Sequence, residues 1–438
     1  FLYSQIRMKT INLGLIGLGT IGTGVVKVLR ENSALIEKRL GVSLVIKRIA
    51  DLDIKRDRGV PVDKSILTKD AKKIINDDEI DIVIELIGGY EPALSFIMQS
   101  ISNKKHIVTA NKALLAKHGQ EVFEAIKKHK VNIGFEASVG GGIPIIRCIK
   151  DNFAANRFES IYGVVNGTGN YILSKMTDEG KNFQDVLKEA QEKGYAEADP
   201  TFDIEGIDSA HKIAILGSLA FGCRIPIDKV FTEGITHITP TDIHFASEFG
   251  FRIKLLAIVK KGDDTIDIRV HPTMISKDNP ISNINGVLNA VKVRGNAVGE
   301  AMLIGEGAGA LPTASAVLSD VMEIVGCITY GNRYSSFDIS NHAKLKLQPI
   351  DKIISKYYLR FSVVDKPGIL SKLSGILGAN SISIASVIQK GRSDSAGVPL
   401  VFMTHKAMEK DIQKAVKEIN ELQVVKGNSI LIRVENEG

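Results

Sequence analysis

The chain has 438 residues, 44% hydrophobic and 24% charged, more than one ordinary core accommodates, so two or three globular domains are predicted. Its 56 basic and 50 acidic side chains leave a net charge of +6 without like-charged blocks or aromatic-interleaved basic stripes, which argues against nucleic-acid binding. Cys148, Cys223 and Cys327 form no C-x-x-C pair, the nine histidines form no H-E-x-x-H, and no apolar run approaches the ~20 residues of a bilayer span. A reducing, cytoplasmic setting with no membrane partner is expected, and Met8 reads as the natural start because Phe1–Lys9 lacks an apolar signal core.

Ile11–Ile16 is a short apolar run of strand type, followed by Gly17-Leu18-Gly19-Thr20-Ile21-Gly22 and a helical pattern from Thr23 to Leu40. In this context Gly17 permits a tight turn, Gly19 lets a pyrophosphate approach the backbone, and Gly22 lets helix and strand pack closely. The helix N-terminus offers N–H groups and a positive dipole end to phosphates. Further strands are predicted at Leu44–Ala50, Ile82–Leu86, His106–Thr109 and Asn132–Glu136, with helices at Pro92–Asn103 and Lys112–Lys128. This alternation predicts a Rossmann-type, doubly wound α/β domain over 1–138, completed by about 312–345, with its ligands at the carboxyl ends of the strands. Asp51 ends the second strand, where an acid suits the ribose of NAD, whereas Lys55, Arg56 and Arg58 suit the 2′-phosphate of NADP; both remain open.

The pattern changes after Gly140-Gly141-Gly142-Ile143-Pro144. A strand at Phe158–Asn166, a helix over Asn182–Lys193 and strands at Ile253–Val259, Ile266–Val270, Leu288–Val293 and Val298–Ile304 predict a mixed α+β domain over 139–311. Between them, 194–212 packs five carboxylates into a short loop and ends on a helix carrying Asp208 and Lys212 at i and i+4, one face. Acids beside one lysine suit a small substrate with an ammonium group and a proton to exchange; a solvated loop would look similar. Gly305-Glu306-Gly307-Ala308-Gly309 leads to Pro312-Thr313 and a helix reaching about Val325. From Tyr357 onward, strands at Tyr358–Val364, Ile382–Ile388, Val398–Thr404 and Ser429–Val434 alternate with helices ending at Leu377 and spanning Met408–Leu422. That βαββαβ order is ferredoxin-like.

These motifs, with Glu85-Leu86-Ile87-Gly88-Gly89, Thr109-Ala110-Asn111-Lys112, Glu136 to Pro144 and Asn166-Gly167-Thr168-Gly169-Asn170-Tyr171, resemble the homoserine dehydrogenases over nearly the whole chain. Asp365-Lys366-Pro367-Gly368-Ile369-Leu370 and the strand order resemble an ACT domain over 357–438, with Gly368 and Asn380 where an amino acid would meet backbone groups. A dimerisation module without an effector remains the alternative. The resemblance implies NAD(P)-dependent interconversion of L-homoserine and L-aspartate 4-semialdehyde, in threonine, methionine and isoleucine biosynthesis, by a homo-oligomer with threonine as effector. It implies cofactor contacts at Gly17, Gly19, Thr20, Ile21, Gly22, Lys112, Gly194 and Gly307, although the family more often carries Pro where Glu306 stands.

By the same resemblance, Glu197 and Asp208 bind the substrate ammonium and Lys212 is the general acid/base. Lys112 then pairs with the alkoxide or substrate carboxylate, and Asp203 orients the network. A free lysine titrates near ~10.4, so oxidation is expected to quicken toward alkaline pH unless desolvation lowers that value. Glu136, Val139, Gly141 and Ile143 match a sodium site in the family, a carboxylate plus carbonyls suiting a hard cation. A Gly-rich turn between domains would need no metal. Within enzymes the rival is another amino-acid dehydrogenase, for instance one acting on aspartate. Outside them it is a non-catalytic amino-acid sensor, against which Lys112 and Lys212 both count.

Overall fold

The computed structural model describes residues 9–331, 345–390 and 397–435; Met8 and 332–344 therefore lie outside the described residues. The chain divides into two compact units. The first draws on Phe1–Ile161, His211–Lys229 and Asn289–Lys344, the second on Tyr162–Ala210, Val230–Leu288 and Leu345–Gly438.

In the first unit, Leu67–Thr68, Ser43–Ala50, Thr10–Ile16, Ile82–Glu85, His106–Thr109 and Ile133–Gly134 form, in that order, a six-stranded sheet. All its pairings are parallel, and strands buried on both faces read as the continuous apolar runs seen in the sequence. The predicted helix after the glycine loop is two helices, Thr20–Glu31 and Ser33–Leu40, broken at Asn32, whose N–H still bonds to Val28 O at 3.0 Å. The last predicted strand is curtailed to Ile133–Gly134 because Phe135 turns the chain into a 3₁₀ segment, Glu136–Ser138.

Ala310–Tyr330 is, among the described residues, the helix long and apolar enough to cross a bilayer, a run the sequence reading missed. Its apolar side is instead consumed in the core: Ala314, Val317, Val321, Ile324 and Val325 pack with Leu13, Leu15, Val25, Leu29 and Val108. Each such burial contributes roughly 1.5–3 kcal/mol. Contact with Thr20–Glu31 is close, since a Cβ on Gly24 would lie 2.5 Å from Ala310 O.

In the second unit, Phe251–Lys261 and Thr265–Ser276 form a long antiparallel hairpin. Ile430–Glu435 pairs with Thr265–Ser276 in parallel and then antiparallel with Ile354–Val363, which is followed by Val398–Thr404 and Ile384–Gln389. The last four strands have the order 4-1-3-2 of a ferredoxin-like sheet, with helices Ile369–Ala379 and Glu409–Asn420 beside them. Tyr357, Leu359, Phe361, Leu373, Leu377, Phe402, Ile412 and Ile419 fill their common core. Gly167–Glu179 is a helix that the Asn166–Tyr171 motif does not announce, and Asn166 caps it.

Candidate active site

The glycine loop has the shape a dinucleotide needs. Gly17 takes φ +102° and accepts strain no L side chain would, and a Cβ on Gly22 would lie 2.1 Å from Gly17 O. A Cβ on Gly19, by contrast, would meet nothing within 4 Å, so the face where a pyrophosphate would rest is open. Thr20 and Ile21 begin the twelve-residue helix, whose first turn carries no acid and whose N-cap offers no side-chain bond, leaving its N–H groups for an anion. Gly22→Ala should therefore distort the loop at a cost of about 1–3 kcal/mol and raise the cofactor KM by roughly tenfold. Initial rates against cofactor concentration check this.

Asp51 follows Ser43–Ala50 as expected, but its carboxylate is already engaged. Oδ2 accepts the Leu18 N–H at 2.7 Å, while Oδ1 accepts the Asp53 N–H at 2.8 Å and faces Arg58 at 3.0 Å. The acid braces the glycine loop.

Lys112 opens the helix Lys112–His129 and is half-buried. Its place is fixed by its neighbours: Asn111 caps that helix through Leu114 N–H at 3.1 Å and donates to Gly89 O at 2.6 Å. Glu85, fully buried, accepts from the Thr109 hydroxyl at 2.7 Å and from the N–H groups of Ile87 and Gly88. Two strand ends and a glycine turn are thus tied together around the start of the lysine-bearing helix. Sequence reasoning quoted these motifs without seeing Glu85 or Asn111 as their organisers; an acid ending a buried strand was the available signal.

Glu136 is built into the turn that precedes the second helical segment. Its two carboxylate oxygens accept the N–H groups of Ile146 at 2.7 Å and Arg147 at 2.8 Å, so the carboxylate caps a helical turn. Burial pushes its carboxyl up to about 7, and burial beside Glu136 holds Asp320, which accepts the Glu136 N–H at 2.8 Å, well above the usual range. A hard cation in this turn would rely on Glu136 and the main-chain carbonyls of Val139, Gly141 and Ile143. No cluster of three or more His, Cys, Asp or Glu side chains suited to a metal occurs among the described residues. Gly141 and Gly307 do come together: a Cβ on Gly141 would lie 2.6 Å from Gly307 O, and Gly142 N–H donates to Glu306 O at 3.1 Å.

In the second unit the acidic segment is braced against Gly167–Glu179. Thr168 donates to Tyr195 O at 2.6 Å, and the Tyr171 and Tyr195 rings lie 5.0 Å apart. Gly194 turns the chain at φ +73°, and Glu197 stands on the exposed loop with its carbonyl held by Gln191 at 3.1 Å. Asp203, on the short helix Thr201–Ile204, and Asp208, on Ile207–Phe221, are joined through Asn166, whose amide donates to them at 2.7 and 2.9 Å. Lys212 follows Asp208 by one turn of the same helix; they are 7% and 3% exposed, a depth at which ionic groups are retained for a partner or a reaction.

In the C-terminal sheet, a cavity of about 480 Å³ is lined by Asp365, Lys366, Pro367, Gly368, Gln389 and Leu400, among others. Gly368 is part of that lining. The side-chain amide of Asn380 donates to Ile376 O at 3.0 Å and Glu418 at 3.2 Å.

A parallel sheet with a glycine cradle, buried carboxylate and lysine groups, and a ferredoxin-like module are the parts of a nicotinamide-dependent oxidoreductase with a built-in ACT domain. The sequence narrows the class. Residues 144–322 match the homoserine dehydrogenase family, 17–136 its NAD-binding domain and 357–423 the ACT domain. The chain is 43% identical to the homoserine dehydrogenase of Neisseria gonorrhoeae, over 98% of this chain and 99% of that protein. It is 44% identical to that of Helicobacter pylori, over 98% and 100%. The crystal structure of a homoserine dehydrogenase from Thiobacillus denitrificans superposes with a TM-score of 0.92 at 43% identity, covering 98% and 99% of the two chains. A hyperthermophilic archaeal homoserine dehydrogenase in complex with NADPH superposes at 0.62 and 28% identity, covering 72% and 97%. The chain belongs to the homoserine dehydrogenase family.

Proposed function

We propose that this oxidoreductase interconverts L-homoserine and L-aspartate 4-semialdehyde with NADP, and that its ACT domain binds threonine as a feedback effector. The observation that carries the substrate assignment is the pair Asp203 and Asp208 drawn toward one neutral amide. Two carboxylates so held form a receptor for a cation, and the α-ammonium of homoserine is one. Asp208, held beside Asp203, receives that ammonium together with Glu197; Lys212 takes the hydroxyl proton during oxidation and returns it during reduction. Lys112 offers positive charge to the alkoxide or to the substrate carboxylate. When bound, the nicotinamide supplies hydride transfer, and Gly17, Gly19, Thr20, Ile21, Gly22, Gly194 and Gly307 are the residues that would hold the dinucleotide.

The commitment of Asp51 to Leu18 N–H and Arg58 occupies the acceptor that a ribose 2′-hydroxyl would use, and leaves Lys55 and Arg56 beyond that strand end for a 2′-phosphate. The NADPH-bound archaeal relative supports the same choice. In this reading sodium is held by Glu136 and the main-chain carbonyls of Val139, Gly141 and Ile143, and pairing of ACT domains is the basis of a homo-oligomer.

One assay tests the reading. L-homoserine should drive reduction of NADP⁺ with a higher kcat/KM than NAD⁺, and L-threonine should inhibit. No turnover with either nucleotide would sink the substrate assignment; a preference for NAD⁺ would reverse the cofactor assignment. Indifference to threonine, with no heat of binding to the full chain, would remove the effector.

A further inference from the structure

We propose that Asn166 is a positioning residue that sets the spacing of Asp203 and Asp208, an inference that rests on the ammonium-receptor reading above. Its side chain is buried and fully occupied. Oδ1 accepts the Gly169 N–H at 2.7 Å, capping Gly167–Glu179, and the main-chain carbonyl accepts the Asn170 N–H at 3.1 Å. With Oδ1 committed to the cap, the amide plane is fixed and Nδ2 points its two hydrogens outward, one to Asp203 Oδ1 and one to Asp208 Oδ2.

Those acids sit on separate helices, Thr201–Ile204 and Ile207–Phe221, joined through Glu205 and Gly206, with Gly206 at φ +79°. Left to themselves the two carboxylates would repel and turn their side chains apart. One amide bridging both resists this. Its neutrality matters as much as its reach. A lysine at 166 would compete with the substrate ammonium for the carboxylates, and an aspartate would add a third negative charge. Asparagine holds both acids while leaving their charge available to the ligand.

The alternative is that Asn166 is a helix cap and nothing more. Asn166→Ser and Asn166→Thr separate the two, because a hydroxyl also caps a helix while neither replacement presents two N–H donors or adds a charge. Both variants should melt close to wild type and keep the wild-type KM for NADP⁺. Their kcat/KM for L-homoserine should fall roughly 10–100-fold, as expected for hydrogen bonds to charged groups, with most of the change in KM. Wild-type KM for homoserine in both variants would overturn the proposal, as would a loss that follows a lowered melting temperature. A wild-type enzyme that does not turn over homoserine would instead strike the functional reading itself, and the inference with it.

Discussion

Replacing Lys212 by alanine is expected to lower kcat for L-homoserine oxidation by roughly 10²–10⁴-fold, the range usually lost with a general base. The residue sits at the second turn of Ile207–Phe221, 7% exposed, one turn beyond Asp208. Alanine is the strongest helix former, so the helix should persist and the KM for homoserine, set by the carboxylates, should change little. Lys212→Arg should fare no better, since a guanidinium stays charged and cannot accept the hydroxyl proton. The pH profile is the sharper readout. Oxidation by the wild type requires a neutral amine and should rise toward alkaline pH, whereas the alanine variant should lose that rising limb. Initial rates over neutral to alkaline pH measure both effects, and a variant as fast as wild type would remove Lys212 from the reaction.

The parts of this molecule that were legible in the sequence are those written locally. The run Ile11–Ile16 and the glycines after it specify a strand, a turn and a helix start within thirteen residues' reach, and the structure has them at Thr10–Ile16 and Thr20–Glu31. The ferredoxin-like order was legible for the same reason, because each element announces its own periodicity. What escaped was of two kinds. Gly167–Glu179 begins with Gly-Thr-Gly, poor helix formers, and only the capping Asn166 betrays it. Asn32 lies inside an apolar pattern that continues through Ile36 and Leu40, so the break it causes was masked by periodicity.

The second kind is non-local. Asn166 reaches carboxylates 37 and 42 positions away, and the oxygens of Glu136 accept the N–H groups of Ile146 and Arg147, contacts that residue type does not announce. A sequence states that an acid is present; only the fold states what it accepts from. The same holds for Asp51, which has the right residue type at the right strand end and is nevertheless occupied by the glycine loop and Arg58.

Arg433→Met is expected to destabilise the C-terminal sheet by about 3–5 kcal/mol, the usual result of leaving a buried charge without its partner. Arg433 and Glu409 are each 2% exposed and form a bidentate pair, Nε to Oε2 at 2.9 Å and Nη2 to Oε1 at 2.5 Å. The third guanidinium nitrogen reaches Glu233 at 2.7 Å, and the guanidinium carbon lies 4.8 Å from the Phe231 ring centroid. Methionine keeps much of the volume but strands Glu409 at the start of Glu409–Asn420, where the helix dipole offsets a fraction of the cost. Removing both charges, in Arg433→Met with Glu409→Gln, should recover part of the loss, because an ion pair so deeply buried gains little over neutral groups of similar size. A chain of several domains need not melt as one unit, so hydrogen exchange is the appropriate measurement. Protection should fall in Ile430–Glu435 and also in Thr273–Ile275, which pair with Arg433–Glu435 in parallel register. Unchanged protection in the single variant would mean that the pair contributes nothing. Loss confined to the strand bearing Arg433 would mean that the pairing with Thr265–Ser276 holds without it.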